Sequence, residues 1–176
     1  MAKMFLALAV ATLIGFTANA DDIKLTGENT KIEFTGTKKD GKHVGGFKKL
    51  SGTAHGPAAE LKLELTIEVD SLFSDDEKLT GHLKSPDFFN VKEHAKAMFK
   101  ITKTEKADKG FTHTGDLTML GKTKPVTFTS DTKADAGALM LNSEFKIKRS
   151  DWGMTYGTGK VDDDVALKIS VDTSKK

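Results

Sequence analysis

The sequence "LKLELTIEV", residues 61–69, alternates apolar residues with charged or polar ones at every step. The apolar positions are all odd-numbered: Leu61, Leu63, Leu65, Ile67 and Val69. A period of two is typical of a β-strand with one buried face and one solvated face. This stretch therefore predicts a strand whose odd-numbered side chains point into a core.

The same alternation recurs on both sides of this stretch and predicts about eight strands in total. It is clear in "KIEFTG" (31–36), "AMFKIT" (97–102), "FTHTGDLTM" (111–119), "PVTFTS" (125–130), "LMLNSEFKIKR" (139–149) and "VDDDVALKISV" (161–171), and less regular in "GFKKLSGTA" (46–54). Glycine and polar clusters join most of these segments, and no long helical pattern separates them. An antiparallel meander follows, either closed into a barrel or folded as two packed sheets.

One segment, "SLFSDDEKLTGHLKSPDFFN" (71–90), departs from the alternation and predicts a short helix. Ser74 and Glu77 have the spacing of a capping box, and Leu79, His82 and Leu83 recur at helical spacing. Pro86 ends the helix, and a second turn then carries Phe88 and Phe89. The segment serves either as a lid or side wall over an apolar interior, or as a connection that plugs one end of a barrel.

The first twenty residues differ in composition from the rest of the chain. An apolar run after Lys3 ends in Ala18-Asn19-Ala20, which fits the cleavage site of a secretory signal peptide. A membrane anchor or a buried helix is the alternative for residues 1–20. We expect cleavage after Ala20, a single mature domain over residues 21–176, and a periplasmic or secreted location without stable membrane insertion.

Charge and cysteine content limit the function further. Of 27 basic residues the mature chain loses only Lys3, and it keeps all 25 acidic residues. Such a balance offers no excess charge for nucleic acid. The chain has no cysteine, so no disulfide supports its fold.

Four segments resemble the motifs of the YceI-like family, in the family's order. They are "DSLFSDDEKLTGHLKSPDFFNV" (70–91), "GDLTMLGKTKPVTF" (115–128), "FKIKRSDWGMTYG" (145–157) and "VDDDVALKISVD" (161–172). Trp152 stands where the family has phenylalanine. The resemblance implies an all-β fold: an extended, lipocalin-like, eight-stranded antiparallel barrel with a long apolar cavity and one helical insertion at about 74–89.

Members of the family bind long-chain amphiphiles, so the resemblance implies a polyisoprenoid, an isoprenoid quinone or a similar lipid as partner. Paired barrels are common in the family, which admits a homodimer. The residues expected to line the ligand cavity are the inward and mouth positions Phe34, Leu65, Ile67, Leu79, Leu83, Phe88, Phe89, Phe99, Ile101, Leu117, Phe128, Phe145, Ile147 and Trp152.

Catalytic and metal chemistry find little support in the sequence, and we expect a binding protein without a cofactor. The five histidines lack metal-ligand spacing, although His82, Asp87 and His94 form a conceivable set. His82, on the apolar stripe, is expected to be buried and satisfied by a backbone carbonyl. Two alternatives stay open: a ligand-free stress-response or interaction protein whose barrel is packed shut by its phenylalanines and tryptophan, and a lipid-modifying enzyme.

Overall fold

The computed structural model describes residues 22–135 and 137–174 and shows an all-β fold with one short α-helix. The helix, α1, spans Glu77–Lys84. Eleven strands are formed: β1 Ile23–Thr26, β2 Thr30–Lys38, β3 Gly41–Phe47, β4 Leu50–His55, β5 Lys62–Glu68, β6 Leu72–Ser74, β7 Lys96–Lys106, β8 Phe111–Met119, β9 Lys122–Asp135, β10 Ala138–Lys148 and β11 Asp164–Asp172.

All eleven strands belong to one antiparallel sheet that curls into a barrel. The strand order is β1-β4-β5-β7-β8-β9-β10-β11-β2-β3-β6. Strands β3 and β4 are two parts of one chain segment, and so are β5 and β6. These two segments form one hairpin, in which β4 pairs with β5 and β3 pairs with β6. The β4–β5 pair lies at one end of the strand order and the β3–β6 pair at the other. The hairpin therefore joins the two ends and closes the sheet.

The described residues thus form eleven strands instead of the predicted eight, and the difference has a physical reason. Two long strands of the hairpin are each bent into two pieces, at Lys48–Lys49 and at the 3₁₀ turn Val69–Ser71. The bend is held by the Lys48 N–H donating to the Ser71 carbonyl and the Glu68 N–H donating to the Lys49 carbonyl. Counting each bent strand once recovers eight barrel strands, and β1 is an additional short strand on β4.

The predicted alternation is confirmed where it was clearest. The odd-numbered residues from Leu61 to Val69 are all buried, whereas the even-numbered residues between them are exposed or half-buried. In β7, Ala97 and Ile101 are buried while Met98 is exposed. The main core joins these residues to inward side chains of β1, β2, β10 and β11.

The helix begins later than predicted, and the Ser74 capping box is wrong. Asp76 is the N-cap, and its carboxylate accepts the Leu79 N–H at 2.7 Å. Ser74 instead ends β6: its N–H donates to Thr80 Oγ1, and its hydroxyl donates to the Asp76 carbonyl. The predicted second turn after Pro86 is present, with the Phe88 N–H bonded to the Ser85 carbonyl.

The expected signal peptide, residues 1–20, lies outside the described residues, and its cleavage stays a prediction. Among residues 22–135 and 137–174, no helix is long and apolar enough to cross a membrane.

Candidate functional site: an apolar cavity with a polar mouth

The barrel holds a cavity of about 340 Å³ with an almost wholly apolar wall. The wall follows β2 along its whole length, from Thr30 to Lys38. Nine residues of strand span roughly 26 Å at about 3.3 Å per residue. The cavity is therefore shaped for a long, thin molecule, and its volume lies at the lower end of the roughly 300–1,000 Å³ that small-molecule sites occupy.

Thirteen of the fourteen predicted residues lie on the cavity wall: Phe34, Leu65, Ile67, Leu79, Leu83, Phe88, Phe89, Phe99, Ile101, Leu117, Phe128, Phe145 and Ile147. The strand members reach it because they occupy the inward face. The remaining members, Leu79, Leu83, Phe88 and Phe89, come from α1 and the turn that follows it. Their contact with a ligand stays a prediction.

Trp152 is the exception and does not line the cavity. It is buried in a 3₁₀ turn, Arg149–Trp152, and packs against Val126 and Phe128 behind the wall. Its indole N–H donates to the Leu117 carbonyl at 3.0 Å. A buried indole N–H needs such a partner, and this bond holds the ring in the wall rather than in the lumen.

Glycines opposite two phenylalanines help to keep the lumen open. A Cβ built on Gly45 would lie 2.4 Å from Phe34 Cζ, and one on Gly115 would lie 2.4 Å from Phe99 Cζ. Each phenylalanine ring thus fills the space that a side chain at the opposite glycine would need. Phe128 and Phe145 stack on each other with centroids 4.7 Å apart. A barrel packed shut by these rings is therefore not what the structure shows.

Several wall residues were missed by the sequence analysis. Some lie on inward strand positions and carry the same alternating signal, namely Ile32, Leu63, Ala97, Met119, Val126, Leu141, Val165, Leu167, Ile169 and Val171. Others, such as Met154 and Tyr156, come from the irregular segment between β10 and β11. No periodicity marks them, so only the fold reveals them.

The segment around α1 covers one end of the cavity, which we call the mouth. Leu72, Leu83, Phe88 and Met154 form a small apolar cluster there. Phe89 joins this cluster to the main core and meets the Phe47 ring edge-on at 5.9 Å. The segment is thus packed onto the barrel through its apolar side chains.

His82 lies at the mouth and is not buried as expected. Its side chain is half-exposed, and Nε2 lies 2.8 Å from an Asp87 carboxylate oxygen instead of a backbone carbonyl. Its ring meets Tyr156 and Phe88 edge-on, at centroid distances of 4.8 and 5.0 Å. His94, the third member of the conceivable metal set, lies beside Gly121. Within the described residues, no group of three or more histidine, cysteine or acidic side chains has the geometry of a metal site.

Polar side chains of the wall gather at the mouth. Thr37 Oγ1 donates to an Asp162 carboxylate oxygen at 2.5 Å. His43 Nδ1 lies 3.0 Å from an Asp75 carboxylate oxygen, and the Val44 N–H donates to the other oxygen. The Val44 N–H, and then His43, hold the pKa of Asp75 below its ordinary value.

Arg149 is a buried cation at the same end of the cavity. Its guanidinium donates to four backbone carbonyls: those of Met154 and Tyr156 at 2.8 Å, Asp162 at 3.0 Å and Val161 at 3.2 Å. These bonds fix the segment that follows β10 against the barrel. Arg149 therefore shapes one side of the mouth.

A second polar cluster lies inside the barrel wall but away from the cavity. His113 is fully buried, with Nδ1 3.0 Å from Thr104 Oγ1 and Nε2 2.9 Å from Ser130 Oγ. Burial lowers the pKa of His113 below its usual value, because the charged imidazolium would lose its hydration.

Barrel, apolar cavity and covering helix together define a lipocalin-like barrel with an open interior. The profile of the YceI-like domain matches residues 24–173, so this chain belongs to the YceI-like family.

Individual relatives agree with that assignment. Protein YceI of Salmonella arizonae is 30% identical over 91% of this chain and 95% of its own length. The UPF0312 protein of Serratia proteamaculans is 33% identical over 63% of this chain, and the match spans 61% of that relative. Among solved structures, Burkholderia cenocepacia BcnA has a TM-score of 0.73 with 25% identity, over 81% of this chain and 94% of its own.

One further structure shares the fold alone. A polyisoprenoid-binding domain from Saccharophagus degradans, implicated in plant cell wall breakdown, has a TM-score of 0.67 at 13% identity. The likeness covers 86% of this chain and 97% of that domain.

Proposed function

We propose that this protein binds a long-chain apolar amphiphile, a polyisoprenoid or an isoprenoid quinone, inside its barrel. The observation that carries the proposal is the apolar wall that follows the whole of β2 from Thr30 to Lys38. Membership of the YceI-like family supports it, and so does the shared fold with a polyisoprenoid-binding domain.

The energy of binding comes from hydrocarbon leaving water. Each buried CH₂ contributes about 0.8 kcal/mol in the transfer limit, from which the costs of association and ordering are subtracted. A longer prenyl chain buries more carbon along the wall. Affinity is therefore expected to rise with chain length until the cavity is filled.

Native mass spectrometry of the purified protein, followed by organic extraction, tests the proposal. We expect a non-covalent adduct that extracts as a lipid with an isoprenoid or similar long chain. A protein that carries no lipid and fails to bind any added prenyl compound would contradict the proposal. The same spectrum tests the expectation of a homodimer.

The compartment is part of the proposal, because the first twenty residues fit a secretory signal peptide. We expect the exported protein to begin at Asp21, after the Ala18-Asn19-Ala20 pattern. N-terminal sequencing of exported protein checks this. A chain that still begins at Met1 would contradict it.

The proposed function is lipid binding without catalysis, and the alternative is a lipid-modifying enzyme. Incubation with a bound prenyl lipid distinguishes the two. Recovery of the unchanged lipid after prolonged incubation is expected, whereas a converted product would favour the enzyme.

A further inference from the structure

The cavity ends sharply at the end opposite the mouth, which we call the floor. Three residues that line the cavity have an apolar neighbour, two residues farther from the mouth, that does not line it. These pairs are Leu25 and Ile23, Leu63 and Leu61, and Leu141 and Leu139. All six side chains belong to the same buried core. The barrel is therefore hollow on the mouth side of the floor and packed with apolar side chains beyond it.

The residues of the floor lie side by side on neighbouring strands. Leu141 of β10 pairs with Val171 of β11, and Val171 pairs with Thr30 of β2. All three line the cavity and are almost fully buried. Leu25 joins the same core from β1, the short strand that is additional to the barrel. A role of β1 is therefore to supply an apolar side chain to the floor.

Polar groups also form part of the packed layer beyond the floor. On β9, Phe128 lines the cavity, whereas Ser130 lies farther from the mouth, is buried and is hydrogen-bonded to His113. The rings of His113 and Phe128 have centroids 5.5 Å apart. Thr104 Oγ1 lies 3.0 Å from His113 Nδ1 and donates to the Leu61 carbonyl at 3.3 Å. Displacing these groups would leave buried polar atoms without partners, so the layer resists the end of an incoming chain.

We infer that the floor limits the length of hydrocarbon chain that the cavity accepts, and that Leu25 and Leu141 set this limit. The inference rests on the proposed function and adds a length specificity to it. A prenyl unit that fits between mouth and floor buries about five carbons and strengthens binding. A unit beyond the limit finds no room past the floor, because packed interiors hold few voids larger than a water molecule. It stays at the mouth and adds little affinity.

A series of prenyl alcohols, from farnesol through geranylgeraniol to longer prenols, tests the inference on the full mature chain. Each prenol is one unit longer than the last and competes with a fluorescent prenyl analogue. We expect affinity to rise at least about tenfold with each unit up to the limit, and by less than about twofold per unit beyond it. Affinity that keeps rising steeply over the whole series would overturn the inference.

Substitutions at the floor should move the limit in both directions. Leu25→Ala combined with Leu141→Ala removes about six carbons, roughly one prenyl unit. The first prenol past the original limit should then bind at least about tenfold more tightly than it binds the unsubstituted protein. Leu141→Phe has the opposite effect, since its larger side chain points into the cavity. It should weaken the last prenol within the limit at least about fivefold and leave shorter prenols unchanged.

Leu50→Ala controls for lost packing, because Leu50 is buried in the same core and does not line the cavity. It should leave the limit unchanged. A limit that stays the same in both floor variants, or that moves equally in Leu50→Ala, overturns the inference and leaves the proposed function standing. If the double variant does not fold, Leu141→Phe decides alone. If no prenol binds the unsubstituted protein, the proposed function fails and the inference fails with it.

Discussion

Phe99 and Lys100 are neighbours in β7 that face opposite sides of the barrel wall. Phe99 lines the cavity, and Lys100 forms an exposed ion pair with Glu64 at 2.7 Å. Phe99→Lys should abolish binding of a prenyl probe, because a charge on the inner wall loses hydration at a cost of several kcal/mol. Lys100→Gln should keep binding and change stability by no more than about 0.5 kcal/mol. Probe titration and thermal unfolding measure both effects.

An equivalent pair of substitutions in β5 gives an independent check of which side chains face the cavity. Ile67 lies on the cavity wall, and Glu68 faces outward. Ile67→Lys should abolish binding, and Glu68→Gln should not. Equal damage from the two substitutions would contradict the orientation of this strand. If Phe99→Lys unfolds the protein outright, the interior behaves as a packed core and the binding proposal is weakened.

His113 makes the stability of the protein depend on pH. Its pKa is lowered in the folded state, so the unfolded chain binds more protons between that lowered value and about 6.5. Its contribution is therefore complete above about pH 6.5 and is lost as the pH falls below it. His113→Gln should cost about 1–3 kcal/mol, since buried hydroxyl groups lose a partner. It should also reduce the loss of stability between about pH 7.5 and about pH 5.5.

Chemical denaturation at the two pH values measures this effect. His55→Gln is the matched control, because the His55 side chain is exposed on β4. An acid-induced loss in His113→Gln as large as that of the unsubstituted protein would show that other groups determine the pH dependence.

Single residues of the site could be predicted wherever the alternating pattern holds. The alternation alone assigned Ile67, Phe99 and Phe128 to the inward face, and the resemblance to the YceI-like family made that face the expected wall of a cavity. His113 occupies an inward position of the same pattern, yet its hydroxyl partners lie on other strands and only the barrel brings them together. Trp152 was wrongly predicted to line the cavity because it lies in a 3₁₀ turn, where the alternation of a strand does not apply.

At the scale of the element, the segment around α1 packs over the mouth through two phenylalanines, Phe88 and Phe89. Phe88→Ala combined with Phe89→Ala removes the ring contacts with Tyr156 and Phe47. Release of a fluorescent prenyl analogue, followed by stopped flow, should accelerate by about tenfold, equivalent to about 1.4 kcal/mol of barrier.

Leu139→Ala provides the control for lost packing. Leu139 is fully buried in the main core but does not line the cavity. Leucine-to-alanine changes of this kind cost about 2–5 kcal/mol and the phenylalanine changes about 3–5 kcal/mol each. Faster release should appear only in the Phe88 and Phe89 double variant. Unchanged release together with a large loss of thermal stability would show that the segment is a structural plug.

The existence of this helix could be predicted, but its first turn could not. Ser74 and Asp76 are both good N-cap residues, and sequence spacing favoured Ser74. The pairing of β6 with β3 places Ser74 in the sheet, opposite Gly45. Sheet pairing thus decided between two locally acceptable caps.

At the scale of the whole molecule, the alternating pattern predicted an antiparallel sheet but not how it closes. A barrel and a sandwich each need one buried face on every strand, so the alternation of apolar and polar residues does not distinguish them. The bend at Lys48–Lys49 allows one hairpin to pair with β2 through β3 and with β7 through β5. No local signal marks that bend, and the resemblance to the YceI-like family supplied the barrel instead.

The pairing of β2 with β11 also determines when the protein can acquire its cavity. Ile32 pairs with Ile169, 137 residues later in the chain. Contacts so distant in sequence slow folding, because a long loop must close before they form. Until β11 has been synthesised and docked, β2 and β10 expose unpaired edges that invite aggregation. A chain shortened before β11 therefore has no enclosed lumen, and the capacity to hold a ligand is among the last properties to emerge during folding.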